Sequence, residues 1–239
     1  MASGTSMVDI RRADDRGAST TDWLQSRHSF SFADYYDPAN THHGLLLVNN
    51  DDIVAPGTGF DTHPHRDMEI VTWVLSGQLA HADSMGNSGV IYPGLAQRMS
   101  AGTGVEHSEK NGSDSEPVHF VQMWVLPDTA GVTPSYQQQE IELADTLTPI
   151  ASGAREAAVT LHNRNATLYG ARQRSGDSAE LPSARYVHLF VARGSVTLEG
   201  CGPLAEGDAA RLTKSGGRVT ADTDAEILVW EMNAGLGGA

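Results

Sequence analysis

Short apolar runs, each cut off by Gly, Pro, Asn or Asp, set the rhythm of this chain. The segments GLLLVNNDD, EIVTWVLSG, GVIYPG, VHFVQMWVLP, RYVHLFVARGSVTLEG and AEILVWEM all read as strands ended by turn signals. Alternation is plain between Ile70 and Leu75. Ile70, Thr72 and Val74 share one face, and Val71, Trp73 and Leu75 share the other. No segment carries a sustained helical stripe; QQQEIELAD and TTDWLQSR come nearest, as short helices or polar strands. The pattern predicts an all-β protein of closely spaced strands, a sandwich or a barrel.

Polar residues between about Gln137 and Glu156 separate two strand-rich halves that share a cadence. VTWVLSGQLAHAD in the first is matched by HLFVARGSVTLEG in the second, and GVIYPGLAQRMSAG by CGPLAEGDAARLTK. This weak repetition points to two related β-barrels in tandem. The halves differ in chemistry: of the 10 histidines, only His162 and His188 lie in the second.

Composition narrows the function. The 239 residues suffice for one large β domain or two small ones, and 39% hydrophobic residues can fill a core. With 16 Lys plus Arg against 30 Asp plus Glu, the net charge of −14 repels nucleic-acid phosphates and anionic lipid. RRADDR is interrupted by acids and RQR is short, so neither direct nucleic-acid nor membrane binding is expected. The single cysteine, Cys201, excludes an intrachain disulfide framework and is expected as a buried small side chain. No run is long enough to span a bilayer, and the polar opening MASGTSM, with Met7 a candidate start, lacks the core of a secretory signal. A cytoplasmic location is expected.

Two stretches carry candidate chemistry. GFDTHPHRDMEIVTWVLSG places His63 and His65 two apart, and MSAGTGVEHSEKN repeats that spacing with His107 and Glu109. Residues two apart on a strand point to one face, so two such pairs on neighbouring strands would aim three imidazoles and a carboxylate at one point. That donor set suits Fe(II), Mn(II), Ni(II), Cu(II) or Zn(II), while calcium and magnesium prefer all-oxygen sites. Pro64 lacks a backbone donor and belongs at a strand edge or bend. Glu69 shares parity with the HPH histidines and competes for the carboxylate role, and Asp67 reads as a turn or rim acid. His81 and His119 are either supporting donors or ordinary surface and core residues. The aromatics of HSFSF and ADYYD either close a barrel end or simply pack. Phe60, Trp73, Met99 and Trp124 are candidates to line an apolar mouth, and the glycines of AGTG to let backbone approach the site.

These motifs resemble the pirin family of the cupin superfamily, in its bacterial branch. The likeness is strongest over about Val8 to Pro127, through HSFSFADYYDP, HADSMGN, QRMSAGTGVEHSE and VHFVQMWVLP, and weaker in YGARQRSG and AEILVWEM. It implies a bicupin, two tandem double-stranded β-helix barrels, with a metal in the first only. The expected bounds are 8–136 for the metal-binding domain and 155–233 for the second, joined by a linker at 137–154. The family pattern assigns the metal to His63, His65, His107 and Glu109, with Fe(II) expected first and Ni, Mn, Cu or Zn as alternatives. It leaves Glu69 beside the ion, with Glu69 or Glu109 as the base. The implied activity is quercetin 2,3-dioxygenase-like opening of a flavonol by O2, releasing carbon monoxide. The alternative is a non-enzymatic, metal-dependent regulator that binds a protein partner.

Overall fold

The structure is a computed structural model that describes residues 6–236. The first five residues, and with them most of the stretch read for a leader, lie outside the described residues. The first strands are β1 (Met7–Arg11), β2 (Gly17–Thr20), β3 (Leu24–His28), β4 (Leu46–Val54), β5 (Gly59–His65), β6 (Glu69–Ser76) and β7 (Leu79–Asp83). There follow β8 (Ser88–Ile91), β9 (Leu95–Ser100), β10 (Val105–Asn111), β11 (Val118–Val125), β12 (Ser135–Glu140), β13 (Thr148–Ser152) and β14 (Val159–Thr160). The last are β15 (Ala166–Gln173), β16 (Ser178–Arg193), β17 (Ser195–Leu198), β18 (Gly202–Ala205), β19 (Ala209–Ala221) and β20 (Ala225–Met232). A single 3-10 turn, Ala13–Asp15, is the only helical element among the described residues.

The strands form two barrels, as expected. In the first, a seven-stranded sheet ordered β12-β9-β6-β11-β4-β3-β2 faces a four-stranded sheet ordered β5-β10-β7-β8. The second is built on a nine-stranded sheet, β14-β13-β15-β20-β16-β19-β17-β18, with β1 pairing β19. Alternation within β6 decides which residues bind the barrels together. Val71, Trp73 and Leu75 join Val121, Met123 and Val125 in a core shared with Phe190, Leu228 and Trp230 of the second barrel. Trp73 Nε1 donates to Glu226 Oε1 at 2.7 Å across this seam. Burying two broad apolar sheet faces against each other makes the seam a large favourable term, at about 25 cal/mol per Å² of apolar area.

Several expectations change. Half of the presumed linker at 137–154 is strand: β12 pairs with β9 of the first barrel, and β13 with β15 of the second. QQQEIELAD begins as strand β12, and TTDWLQSR turns from β2 into β3, so neither is helical. Strand β1, counted with the first domain by sequence order, pairs along β19 of the second barrel. Cys201 is exposed in the turn between β17 and β18 rather than buried.

Candidate metal centre

The HPH and HSE motifs lie on adjacent strands of the four-stranded sheet. β5 is its edge strand, which is where Pro64 costs no ladder bond. Antiparallel pairing sets His107 directly opposite His63, and Val105 opposite His65. The register then slips between His107 and Glu109, a bulge that sets Glu109 opposite Phe60. Gly59 permits the close approach that follows: a side chain there would have its Cβ 2.4 Å from Glu109 O. The first glycine of AGTG has another purpose. A Cβ at Gly102, whose φ is +47°, would fall 1.9 Å from Val132 O, so that turn closes on the 126–134 loop rather than on the site.

The three imidazoles converge. His107 Nε2 lies 3.0 Å from both His63 Nε2 and His65 Nε2. His63 Nδ1 donates to Asp61 O at 2.7 Å, which leaves its Nε2 lone pair aimed inward. Burial, reinforced by the neighbouring imidazoles, lowers His65 to about 4 and His107 to about 3, so both are neutral donors at pH 7. Among the described residues, His63, His65 and His107 are the group whose donor atoms all lie within 4.8 Å of one another. Glu109 is buried next to them, its Oε2 3.9 Å from His107 Nε2. Its Oε1 accepts from Gln122 Nε2 at 2.7 Å, and burial raises its pKa against that bond.

Glu69 is elsewhere, a correction to the parity argument. β5 and β6 belong to different sheets, and the corner between them passes through Asp67 at φ +48°. Alternation does not carry through such a corner. Glu69 is fully buried on the seam side, where Oε2 accepts from Ser100 Oγ at 3.0 Å and from His162 N at 2.9 Å. Trp73 likewise faces the seam and lines no mouth. Met99 packs with Ile70, Ala101 and Val105 beneath Trp124. Asp67 Oδ1 accepts from Gly131 N, a turn contact. His119 pairs with Asp51 on the outer face of its strand. His81 stacks on Tyr136 and holds Asp83 at 2.9 Å, its ring 5.4 Å from that of His107.

A cavity of about 290 Å³ opens beside the imidazoles, near the lower bound for small-molecule sites. Phe32, Phe60 and Trp124 form its aromatic wall, with Trp124 edge-on to both Phe32 and His65. Its other side is polar: Ser19, Ser26, His28, Asn50, Asp52 and Gln122. Sequence reading overlooked these residues. The available signal was parity, since Asn50 and Asp52 alternate in step with the buried Val48 and Val54.

Comparison with known proteins decides the family. The Pirin family model matches residues 10–125, and the quercetinase C-terminal cupin domain model matches residues 150–232. A protein of Escherichia coli K12 named quercetin 2,3-dioxygenase is 37% identical over 95% of this chain and 99% of its own. The chain belongs to the pirin family. A protein of Mycobacterium tuberculosis H37Rv named a putative quercetin 2,3-dioxygenase is 64% identical over 98% of both chains. The crystal structure of the bacterial pirin YhhW of E. coli in complex with nickel(II) superposes with a TM-score of 0.89 at 36% identity. It covers 95% of this chain and 100% of that one. Both barrels of this pirin are therefore cupin domains. No helix among its described residues is long and apolar enough to cross a membrane.

Proposed function

We propose that this pirin is a metal-dependent dioxygenase that opens the flavonol ring with O2, its ion held by His63, His65, His107 and Glu109. The carrying observation is the convergence of three Nε2 atoms beside a cavity, that of His107 lying 3.0 Å from each of the other two. Cis ligands on an ion at about 2.1 Å stand about 3.0 Å apart, so spacing and donor set fit one transition-metal ion. The nickel(II) complex of the E. coli relative supports a divalent ion, with Fe(II) the expected native one and Ni, Mn, Cu or Zn as alternatives. When bound, the ion supplies Lewis acidity that favours the oxyanion of the flavonol 3-hydroxyl. Glu109, once released from the ion, is the carboxylate that would take that proton: Gln122 holds Oε1, and Oε2 stays on the imidazole side. Glu69, whose Oε2 accepts from Ser100 Oγ and His162 N in the seam, is not the carboxylate we assign as base. Phe32, Phe60 and Trp124 would clamp a planar ring and keep bulk water away.

The test is anaerobic metal loading followed by quercetin and O2, with metal content, O2 uptake and carbon monoxide release measured together. Wild type should hold one ion per chain and turn over. His65→Ala should lose the ion and fall about 100-fold or more in rate. Equal turnover in the variant would sink catalysis at this site. A loaded wild type that consumes no O2 would point instead to a metal-dependent, partner-binding role.

A further inference from the structure

The polar wall of the cavity repeats the logic of the metal motifs without donating to the imidazole cluster. Ser26 and His28 are two apart on β3, Asn50 and Asp52 two apart on β4, and the pairing sets Ser26 opposite Asp52 and His28 opposite Asn50. All four are buried. Their bonds lock the wall in place. Ser26 Oγ donates to Asp52 Oδ1, and His28 bridges Asn50 Oδ1 at 3.0 Å and Ser19 Oγ at 2.8 Å. Two polar atoms are left over: Asp52 Oδ2 and Asn50 Nδ2 have no hydrogen-bond partner among the described residues, and both residues line the cavity. Four buried polar side chains are a costly way to fill a barrel, and the acceptor and donor left over belong to residues that line the cavity.

We infer that Asp52 and Asn50 form a hydroxyl-binding subsite, which selects aromatic substrates bearing a second hydroxyl group remote from the one presented to the imidazoles. The inference rests on the flavonol reading above and deepens it: the imidazole end takes one oxygen, and the Asp52 end takes another. A hydroxyl both donates and accepts, so it satisfies Asp52 Oδ2 and Asn50 Nδ2 at once. Burial, with the nearby charges of Asp51 and Glu109, raises Asp52 to about 7, which suits a carboxyl that shares a proton with a phenol.

The test compares quercetin with 3-hydroxyflavone, which keeps the 3-hydroxyl and lacks the ring hydroxyls. Binding to the metal-loaded protein is read by calorimetry, and turnover is read separately. Wild type should bind quercetin about tenfold more tightly, and Asp52→Asn should erase most of that preference while changing 3-hydroxyflavone affinity less than about twofold. Ser26→Ala, which frees Oδ1 without removing the carboxyl, should fall between the two. Metal content and melting temperature establish that each variant is folded. Equal weakening of both ligands, an unchanged preference, or no binding of either flavonol by wild type would overturn the subsite. Selective binding without turnover would remove the dioxygenase reading and leave the subsite standing.

Discussion

The two barrels share a frame but differ along one row inside it. Across the large sheet of the first, one cross-strand row runs His28, Asn50, Gln122, Thr72, Gln97, every member buried. The matching row of the second runs Ala210, Leu189, Val229, Tyr169, and the next runs Val191, Ile227, Ala171. Burying each large aliphatic side chain stabilises the second barrel by about 1.5–3 kcal/mol. The first barrel forgoes that gain along a whole row and must satisfy each polar group by hydrogen bonding. A fold that needed only stability would have filled both barrels alike. On the proposed reading the polar row belongs to the site in the first barrel, and the second barrel supports it through the seam that contains Trp73 and Trp230.

The sharpest way to break the contrast is to carry the polar row into the apolar barrel. Leu189→Asn removes a fully buried side chain and leaves an amide among Val229, Ala210 and Val191 with no partner. The expected loss is about 4 kcal/mol or more, read as a fall in the denaturant midpoint. A loss under about 1 kcal/mol would mean the second barrel tolerates polar filling, and the contrast would carry no functional meaning.

Asp52 gives a smaller effect with a pH signature. Its carboxyl is raised from 3.8 to about 7, first by desolvation and then by Asp51 and Glu109, against the Ser26 bond. Between those values the folded chain keeps a proton that the unfolded chain has released. Stability therefore falls as pH rises from about 4 to about 7, by at most about 1.4 kcal/mol per pH unit. Asp52→Asn should lack this component, so the stability difference between variant and wild type, measured metal-free, should shift by about 2 kcal/mol from pH 5 to pH 7. Parallel curves would show that Asp52 is ionised in the fold.

How far the sequence foretold this contrast depends on what alternation encodes. Strand positions were legible in β6, β11 and β20, which are apolar runs closed by turn residues, whereas Asn49–Asp52, read as the turn that ends an apolar run, lie inside β4. That each motif presents its paired residues on one face was legible from spacing; the register that sets His63 opposite His107 was not. Glu69 was misplaced because parity was carried through a corner between sheets. The row from His28 to Gln97 escaped notice for a different reason. Alternation says that two faces differ, not which one is interior, and polar residues inside a barrel read like an exposed face. Long-range pairings such as β1 with β19 leave no local trace at all.

The mildest test acts on the join between the polar row and the imidazoles. Gln122 is the member of the row that touches Glu109, donating to Oε1 at 2.7 Å, and its Oε1 accepts from Trp124 Nε1 at 3.1 Å. Gln122→Leu makes the row locally like that of the second barrel, and leaves a buried carboxyl and an indole N–H without their partners. If the row merely filled space, a leucine of similar size should stabilise the protein. If the row exists to hold Glu109, the metal-free variant should lose about 1–2 kcal/mol, because a buried acceptor is left unpaired. Saturating Ni(II) should then restore more stability to the variant's folded state than an equal dose restores to His65→Ala, since an ion that Glu109 ligates takes over the missing partner's role. Melting curves of the three proteins with and without Ni(II) separate the cases. A Gln122→Leu protein more stable than wild type in the absence of metal would mean the polar row is not there to position the carboxylate.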